Sequence, residues 1–178
     1  MGQDEELVTV EVVGVRQHLA ADELVVLLFD PESALVIPIL VGPAEASAIA
    51  TAQAGVVPPR PMTHDLLCSI LRASRVELER VEITSLLGGV FHAALVLSNG
   101  ARVDSRASDA IAVALRAGCP VMCTAVIIAI AGVEVTTGGA EEQEVEQFRE
   151  FLERVAPEDF ETGEEPGDDS SADPSPSS

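Results

Sequence analysis

The chain has 178 residues, an apolar content of 47% and a formal charge of −20, enough to bury one sizeable core and far too apolar for disorder throughout. The charge is uneven: residues 1–140 hold 16 acids against 8 arginines (net −8), and residues 141–178 hold 14 acids against 2 arginines (net −12). A net negative field opposes non-specific attraction to phosphate backbones, so any nucleic-acid role must rest on a local arginine patch and be salt-sensitive. All ten basic residues are arginine, which reads as codon bias rather than ten demands for a guanidinium.

The amino terminus, Met1 to Glu6, is acidic and lacks the basic and apolar regions of a secretory signal, which predicts a cytoplasmic protein. Leu7 to Val15, Leu24 to Phe29 and Ala34 to Ile39 are β-branched runs parted by turn-prone pieces such as Asp30-Pro31-Glu32-Ser33, and they predict three strands. A helix follows over Gly42 to Ala54, then a second over Thr63 to Arg75. Val76 to Thr84, Val90 to Leu97 and Ala101 to Asp104 again read as strands, with Gly88-Gly89 and Asn99-Gly100 as hairpin turns. Ser108 to Ala117 is again helical. Its texture, Asp109-Ala110-Ile111-Ala112-Val113-Ala114, matches Glu45-Ala46-Ser47-Ala48-Ile49-Ala50, and each helix ends near a glycine suited to a left-handed cap, Gly118 or Gly55. The pattern is a duplicated β-β-β-α unit. It predicts an α+β domain with a mixed or antiparallel sheet packed by helices, whose alanine-rich helices lie close against it.

Val121 to Val133 is the most apolar stretch, yet thirteen residues are too few to span a bilayer, so it reads as buried core and no membrane role follows. Cys68, Cys119 and Cys123 form no disulfide framework and suit a reducing compartment. Beyond a domain over residues 1–137, residues 138–156 carry an amphipathic helix. Within it Val145, Phe148, Leu152 and Val155 form one apolar stripe on an acidic background. Residues 157–178, rich in Glu, Asp, Ser, Pro and Gly, read as an acidic disordered tail.

Two polar clusters open helices: Arg60-Pro61-Met62-Thr63-His64-Asp65, and Asp104-Ser105-Arg106-Ala107-Ser108-Asp109. Each sets an arginine, a hydroxyl and carboxylates beside backbone N–H groups that a helix start leaves unpaired, where anions are readily held. Phosphodiester hydrolysis needs an activated water, positive charge on the pentacoordinate phosphate and protonation of the leaving oxygen. His64, Asp65, Asp104 and Asp109 are the catalytic candidates; Arg60, Arg106 and Ser108 are the candidates to bind substrate. Glu45 and Asp109 are candidates to hold a divalent cation such as Mg2+ through oxygen ligands. Helix capping accounts for several of the same residues: Thr63 as N-cap with Asp65 in the first turn, and Ser105 or Ser108 as cap with Asp109 in the first turn. Pairing of Arg60 and Arg106 with those acids, which would staple two helix starts together, is an equal alternative. No glycine-rich phosphate loop, paired-cysteine zinc signature or His-Glu-x-x-His occurs.

Ile39-Leu40-Val41-Gly42-Pro43-Ala44-Glu45-Ala46, Pro58-Pro59-Arg60-Pro61-Met62-Thr63-His64-Asp65-Leu66-Leu67, Phe91-His92-Ala93 and Asp104-Ser105-Arg106-Ala107-Ser108-Asp109-Ala110-Ile111-Ala112 resemble the bifunctional nuclease domain family of bacteria and plants. The similarity runs from about Val8 to Gly132, and Val145 to Leu152 with Pro157 to Phe160 is similar to the extension on actinobacterial members. The resemblance implies a self-associating α+β domain and a nuclease acting on DNA and RNA. Two departures stand out. Ala107 replaces a proline usual in the family, and Ala125-Val126-Ile127-Ile128 is more apolar than expected. Against a nuclease weigh the acidic charge and the supply of only five Phe, with neither Trp nor Tyr, for stacking bases. The alternative is a non-catalytic regulatory or assembly module that binds a small anion or a protein partner.

Overall fold

In the computed structural model the chain divides into two units, Met1–Val135 and Thr136–Ser178. The structure describes residues 6–18 and 23–134, all in the first unit. The helix expected over 138–156 and the tail over 157–178 lie outside the described residues.

Strands β1 (Leu7–His18), β2 (Glu23–Asp30) and β3 (Leu35–Val41) form an antiparallel meander followed by helix α1 (Pro43–Gln53). After α2 (Thr63–Ala73) the pattern recurs as β4 (Leu78–Leu87), β5 (Val90–Leu97), β6 (Arg102–Arg106) and α3 (Ala107–Ala117). Strand β7 (Val121–Thr124), helix α4 (Ala125–Ala131) and strand β8 (Val133–Glu134) complete the unit. The fold is α+β with one eight-stranded mixed sheet in the order β6-β5-β4-β7-β1-β2-β3-β8. The two halves of the duplication are joined by β7, antiparallel to β1 and parallel to β4.

Local chemistry sets the turns. Gly88 and Gly89 both have positive φ (58° and 83°), as a tight two-residue hairpin between β4 and β5 requires. Between β2 and β3 the buried Asp30 carboxylate accepts hydrogen bonds from the backbone N–H groups of Glu32 and Ser33 and from the Ser33 hydroxyl. These bonds hold its carboxyl below the usual carboxylate range despite burial.

The ends of β3 and β5, with four strands between them in the sheet, line one cavity, so the sheet curls around its helices. Helix α3 lies inside that curl. Ala107, Ser108, Ala110, Ile111, Ala112, Val113 and Ala114 are all buried, and the small alanines let α1 and α2 approach it on one side and Val81, Ile83, Ala93 and Leu95 of the sheet on the other. Register places Val26 opposite Ile39 and Leu28 opposite Ile37, which puts these buried side chains on the same inner face. On the outer face the buried carboxylate of Glu82 (β4) receives hydrogen bonds from Arg80 and Arg102.

Four expectations are corrected. Val121 to Val133 is not uniformly buried: it breaks into strand, helix and strand, with Val126, Ile130 and Val133 exposed. The break falls at Thr124, whose hydroxyl caps α4 by accepting from Ile127 N–H. The N-cap of α2 is Met62 rather than Thr63. The N-cap of α3 is Arg106, with Ser105 still in β6, because strand pairing to β5 (Arg106 opposite His92) prevails over the serines' capping preference. Strand β1 runs on beyond Val15 to His18, because a bulge between Val12 and Gly14 shifts its register and lets pairing continue.

Candidate active site

Helices α1, α2 and α3 begin close together, and their first turns carry a chain of polar contacts. At the start of α1, Gly42 is the N-cap, Pro43 presets the first helical residue and Glu45 lies in the first turn, where an acid complements the macrodipole. A Cβ on Gly42 would stand 2.5 Å from Glu45 Oε2, so the glycine leaves room for the carboxylate to fold back. Arg106, the last residue of β6 and the cap of α3, forms an ion pair from Nη1 to Glu45 Oε1 (3.0 Å) and donates from Nε to Asp109 Oδ2 (2.6 Å). The second Asp109 oxygen, Oδ1, meets His64 Nε2 of α2 at 3.2 Å. Glu45, Arg106, Asp109 and His64 thus form one chain across three helices whose sequence positions span more than sixty residues.

The electrostatics follow from that geometry. The Arg106 guanidinium holds the Asp109 carboxyl below its usual value; burial opposes the shift and the His64 contact reinforces it. In return Asp109, then Glu45, raise Arg106 above the ordinary arginine value. An ionised Asp109 only accepts, so Nε2 of His64 carries the hydrogen of that bond and a neutral imidazole has its lone pair on Nδ1. Nδ1 has no hydrogen-bond partner among the described residues.

Arg106, 65% exposed at its side chain, stands between two concavities. One, of about 450 Å3, is walled by His64, Leu67, Leu95, Val103 and Asp109. The other, of about 470 Å3, is bounded by Leu40, Glu45, Val90, Phe91 and the nearly buried Ser108. Both are of ligand size.

The remaining candidates sit elsewhere. Asp104 reaches the rim of the first concavity, but register pairs it with Ala94 and Ala94 with Glu82, so strand alternation assigns its side chain to the outer face. Asp65 turns away from His64. Its Oδ2 accepts from the Met62 N–H (3.0 Å), closing half of a capping box, and its Oδ1 accepts from Arg116 Nε (2.7 Å). Burial would raise its carboxyl, but those two bonds hold it below the ordinary aspartate value. Arg60 is exposed in the α1–α2 loop and makes no ion pair among the described residues.

Arg116 and Glu82 had no part in the functional reading of the sequence. The Arg80-x-Glu82 alternation on a strand, with Arg102 two hairpins on, is the signal that a triad spanning the sheet leaves. Arg116 leaves no local signal, since its partner lies 51 positions away. As for a divalent cation, Glu45 and Asp109 both give an oxygen to Arg106, and among the described residues no three His, Cys, Asp or Glu side chains come together to hold a metal. This donor set does not fit a resident cation.

A family model described as the bifunctional nuclease domain matches residues 26–136. The chain is also 40% identical over 158 residues to uncharacterized proteins from two strains of Mycobacterium tuberculosis, an alignment that covers 85% of this chain and 96% of each relative.

Proposed function

The chain belongs to the bifunctional nuclease domain family, and from that premise we propose that it hydrolyses phosphodiester bonds of DNA or RNA where α1, α2 and α3 begin. The observation that carries the proposal is the Arg106–Asp109–His64 relay beside two open concavities. Asp109 fixes the imidazole with its free lone pair on Nδ1, which takes a proton from an attacking water. The water oxygen bonds to phosphorus, the ester P–O bond breaks, and the leaving oxygen is protonated from solvent. Arg106 supplies the guanidinium that meets the phosphate oxygens, with Ser108 as a further contact and Arg60, which lines neither concavity, as a contact to nucleic acid beyond them. Leu67, Leu95 and Val103 offer an apolar wall to sugar or base, which offsets the scarcity of aromatics. In this proposal Asp65 holds the scaffold through Met62 and Arg116, Asp104 lies on the outer face, and catalysis is left to His64 and Asp109.

The exposed Leu40 and Val90 at the rim beside Arg106 suit self-association of the chain there. Three free cysteines suit the cytoplasm as its compartment, and among the described residues no helix is long and apolar enough to cross a membrane.

A second function has its own support: Arg106 and both carboxylates are already paired, so the same residues serve as a staple of three helices in a non-catalytic assembly module. One assay separates the two. Labelled single-stranded and duplex DNA and RNA are incubated with the protein in magnesium, manganese or chelator, beside His64→Ala and Asp109→Asn variants whose folding is checked by circular dichroism. Cleavage lost by about 100-fold or more in both folded variants supports the nuclease. Equal cleavage by all three proteins refutes catalysis at these residues and points to a contaminant or another site, and no cleavage by any refutes the nuclease in favour of the module.

A further inference from the structure

On the opposite side of α2 from His64 lies a separate cavity of about 360 Å3, between that helix and the loop after α1. Its walls combine apolar surface from Val56, Val57, Pro58 and Pro61 with two arginines, Arg72 and Arg116. Arg116 is only 7% exposed at its side chain. Its Nε is bound to Asp65 and its Nη1 to the Ala112 carbonyl at 2.8 Å. Nη2 makes no hydrogen bond among the described residues, and since no buried side-chain nitrogen or oxygen there lacks a partner, Nη2 is accessible on a residue that lines the cavity. Arg72 carries a guanidinium with no ion pair among the described residues. Asp65, the acid at this wall, has both oxygens occupied by Met62 N–H and Arg116. The cavity therefore holds two guanidiniums against one committed carboxylate, a local surplus of positive charge in a chain of formal charge −20.

From this juxtaposition we propose a second binding site, for a small organic anion: a carboxylate or phosphate monoester head on a compact apolar body. The head takes donors from Arg72 and from Nη2 of Arg116, and the body displaces water from the Val56, Val57 and Pro58 wall. The site owes nothing to the nuclease proposal, because His64, Leu67 and Leu71 face the other side of α2. Within one helix, Asp65 and His64 are neighbours, so an occupant that bears on Arg116 bears on the turn that carries His64.

The test is isothermal titration of the full chain with benzoate and with phenyl phosphate, using benzyl alcohol and inorganic phosphate as controls. The expected result is saturable binding of at least one aromatic anion, weakened about tenfold or more by Arg72→Gln, weakened also by Val57→Asp at the 88%-exposed lip, and unchanged by His64→Ala. The benzoate and phenyl phosphate arms tell a carboxylate site from a phosphate site. The proposal is overturned by no saturable binding of either anion, by equal affinity for benzyl alcohol or inorganic phosphate, or by an Arg72→Gln variant that binds like the parent.

Discussion

Asp65→Asn separates a positioning role for that residue from a catalytic one, because the structure lets its effect on stability be worked out. The wild-type carboxylate makes two charge-assisted bonds, from Arg116 Nε at 2.7 Å and from the Met62 N–H at 3.0 Å. The amide keeps one acceptor and loses the charge, which leaves the nearly buried Arg116 without a counter-ion. Loss of a charge-assisted bond costs about 1.5–3 kcal/mol and a weakened cap about 0.5–1 kcal/mol. Since Asp65 keeps about a quarter of its side-chain exposure and Nη2 of Arg116 reaches water, the lower half of that range applies, about 2–3 kcal/mol. For a chain of this size that lowers Tm by roughly 4–12 °C. The sign with pH is fixed by the direction of the shift. Asp65 is depressed below 3.8, so its contribution is complete above the unfolded value and lost as pH falls through the folded one. Urea unfolding followed by circular dichroism should show the full gap between parent and variant at pH 7 and a closing gap below about pH 4. Adding Arg116→Met to Asp65→Asn removes the orphaned charge and should restore about 1 kcal/mol or more. A gap under about 0.5 kcal/mol at pH 7, the level of an ordinary surface substitution, would refute the reasoning.

Ala107 is the first residue of α3 and follows Arg106 at φ −67°, ψ 145°, a conformation that tolerates a following proline. Ala107→Pro should therefore stabilise the fold by about 0.4–1 kcal/mol in urea titration, and a net loss would show that the inner packing around α3 has no room for the ring. Glu82→Gln should cost about 1–2 kcal/mol at pH 7, discounted because Arg80 and Arg102 are partly exposed and regain water. Burial works against the Glu82 carboxylate while both arginines hold it below 4.5, so this gap too closes in acid, and one that persisted at pH 3 would count against the triad. Burial pushes the Cys123 thiol up to about 12, so native protein treated with iodoacetamide at pH 8 should show Cys123 unmodified by peptide mapping while the less buried Cys119 reacts first.

The features legible in the sequence are those that act over a few residues. The paired alanine textures of α1 and α3, the Gly88-Gly89 and Asn99-Gly100 turns and the β-branched runs each state a local preference that the fold keeps. Tertiary pairing decides the rest. Ser105 and Ser108 look like helix caps, yet Ser105 stays in β6 because its backbone pairs with Ala93. Apolar Val121 to Val133 looks uniform to a count of hydrophobic residues, and the Thr124 cap that divides it is a single hydroxyl. In the candidate site the residue types were readable but their partners were not. His64 and Asp65 are adjacent in sequence, and a helix points them about 100° apart, one toward Asp109 and the other toward Arg116. Asp104 and Ser105 diverge by the alternation of a strand.

The charges at the helix starts bear on how a phosphate enters. With His64 neutral, Glu45, Arg106 and Asp109 sum to −1, and a phosphodiester brings another −1. Two like charges 4 Å apart near a protein surface repel by about 4 kcal/mol at an effective dielectric constant of 20. On the proposal of phosphodiester hydrolysis here, substrate entry is therefore accompanied by one of three changes: protonation of His64 or entry of a divalent cation with the phosphate, either of which offsets charge, or release of Arg106 from Glu45, which leaves the sum at −1 but turns Nη1 to the phosphate. The third route needs no added component, and it breaks the weaker link, since Nη1–Glu45 is the longer of the two Arg106 contacts at 3.0 Å against 2.6 Å to Asp109. It leaves the Asp109–His64 bond in place to orient the base. On that proposal the guanidinium that staples α1 to α3 in the resting protein also clamps substrate, so stability and catalysis would compete for Arg106.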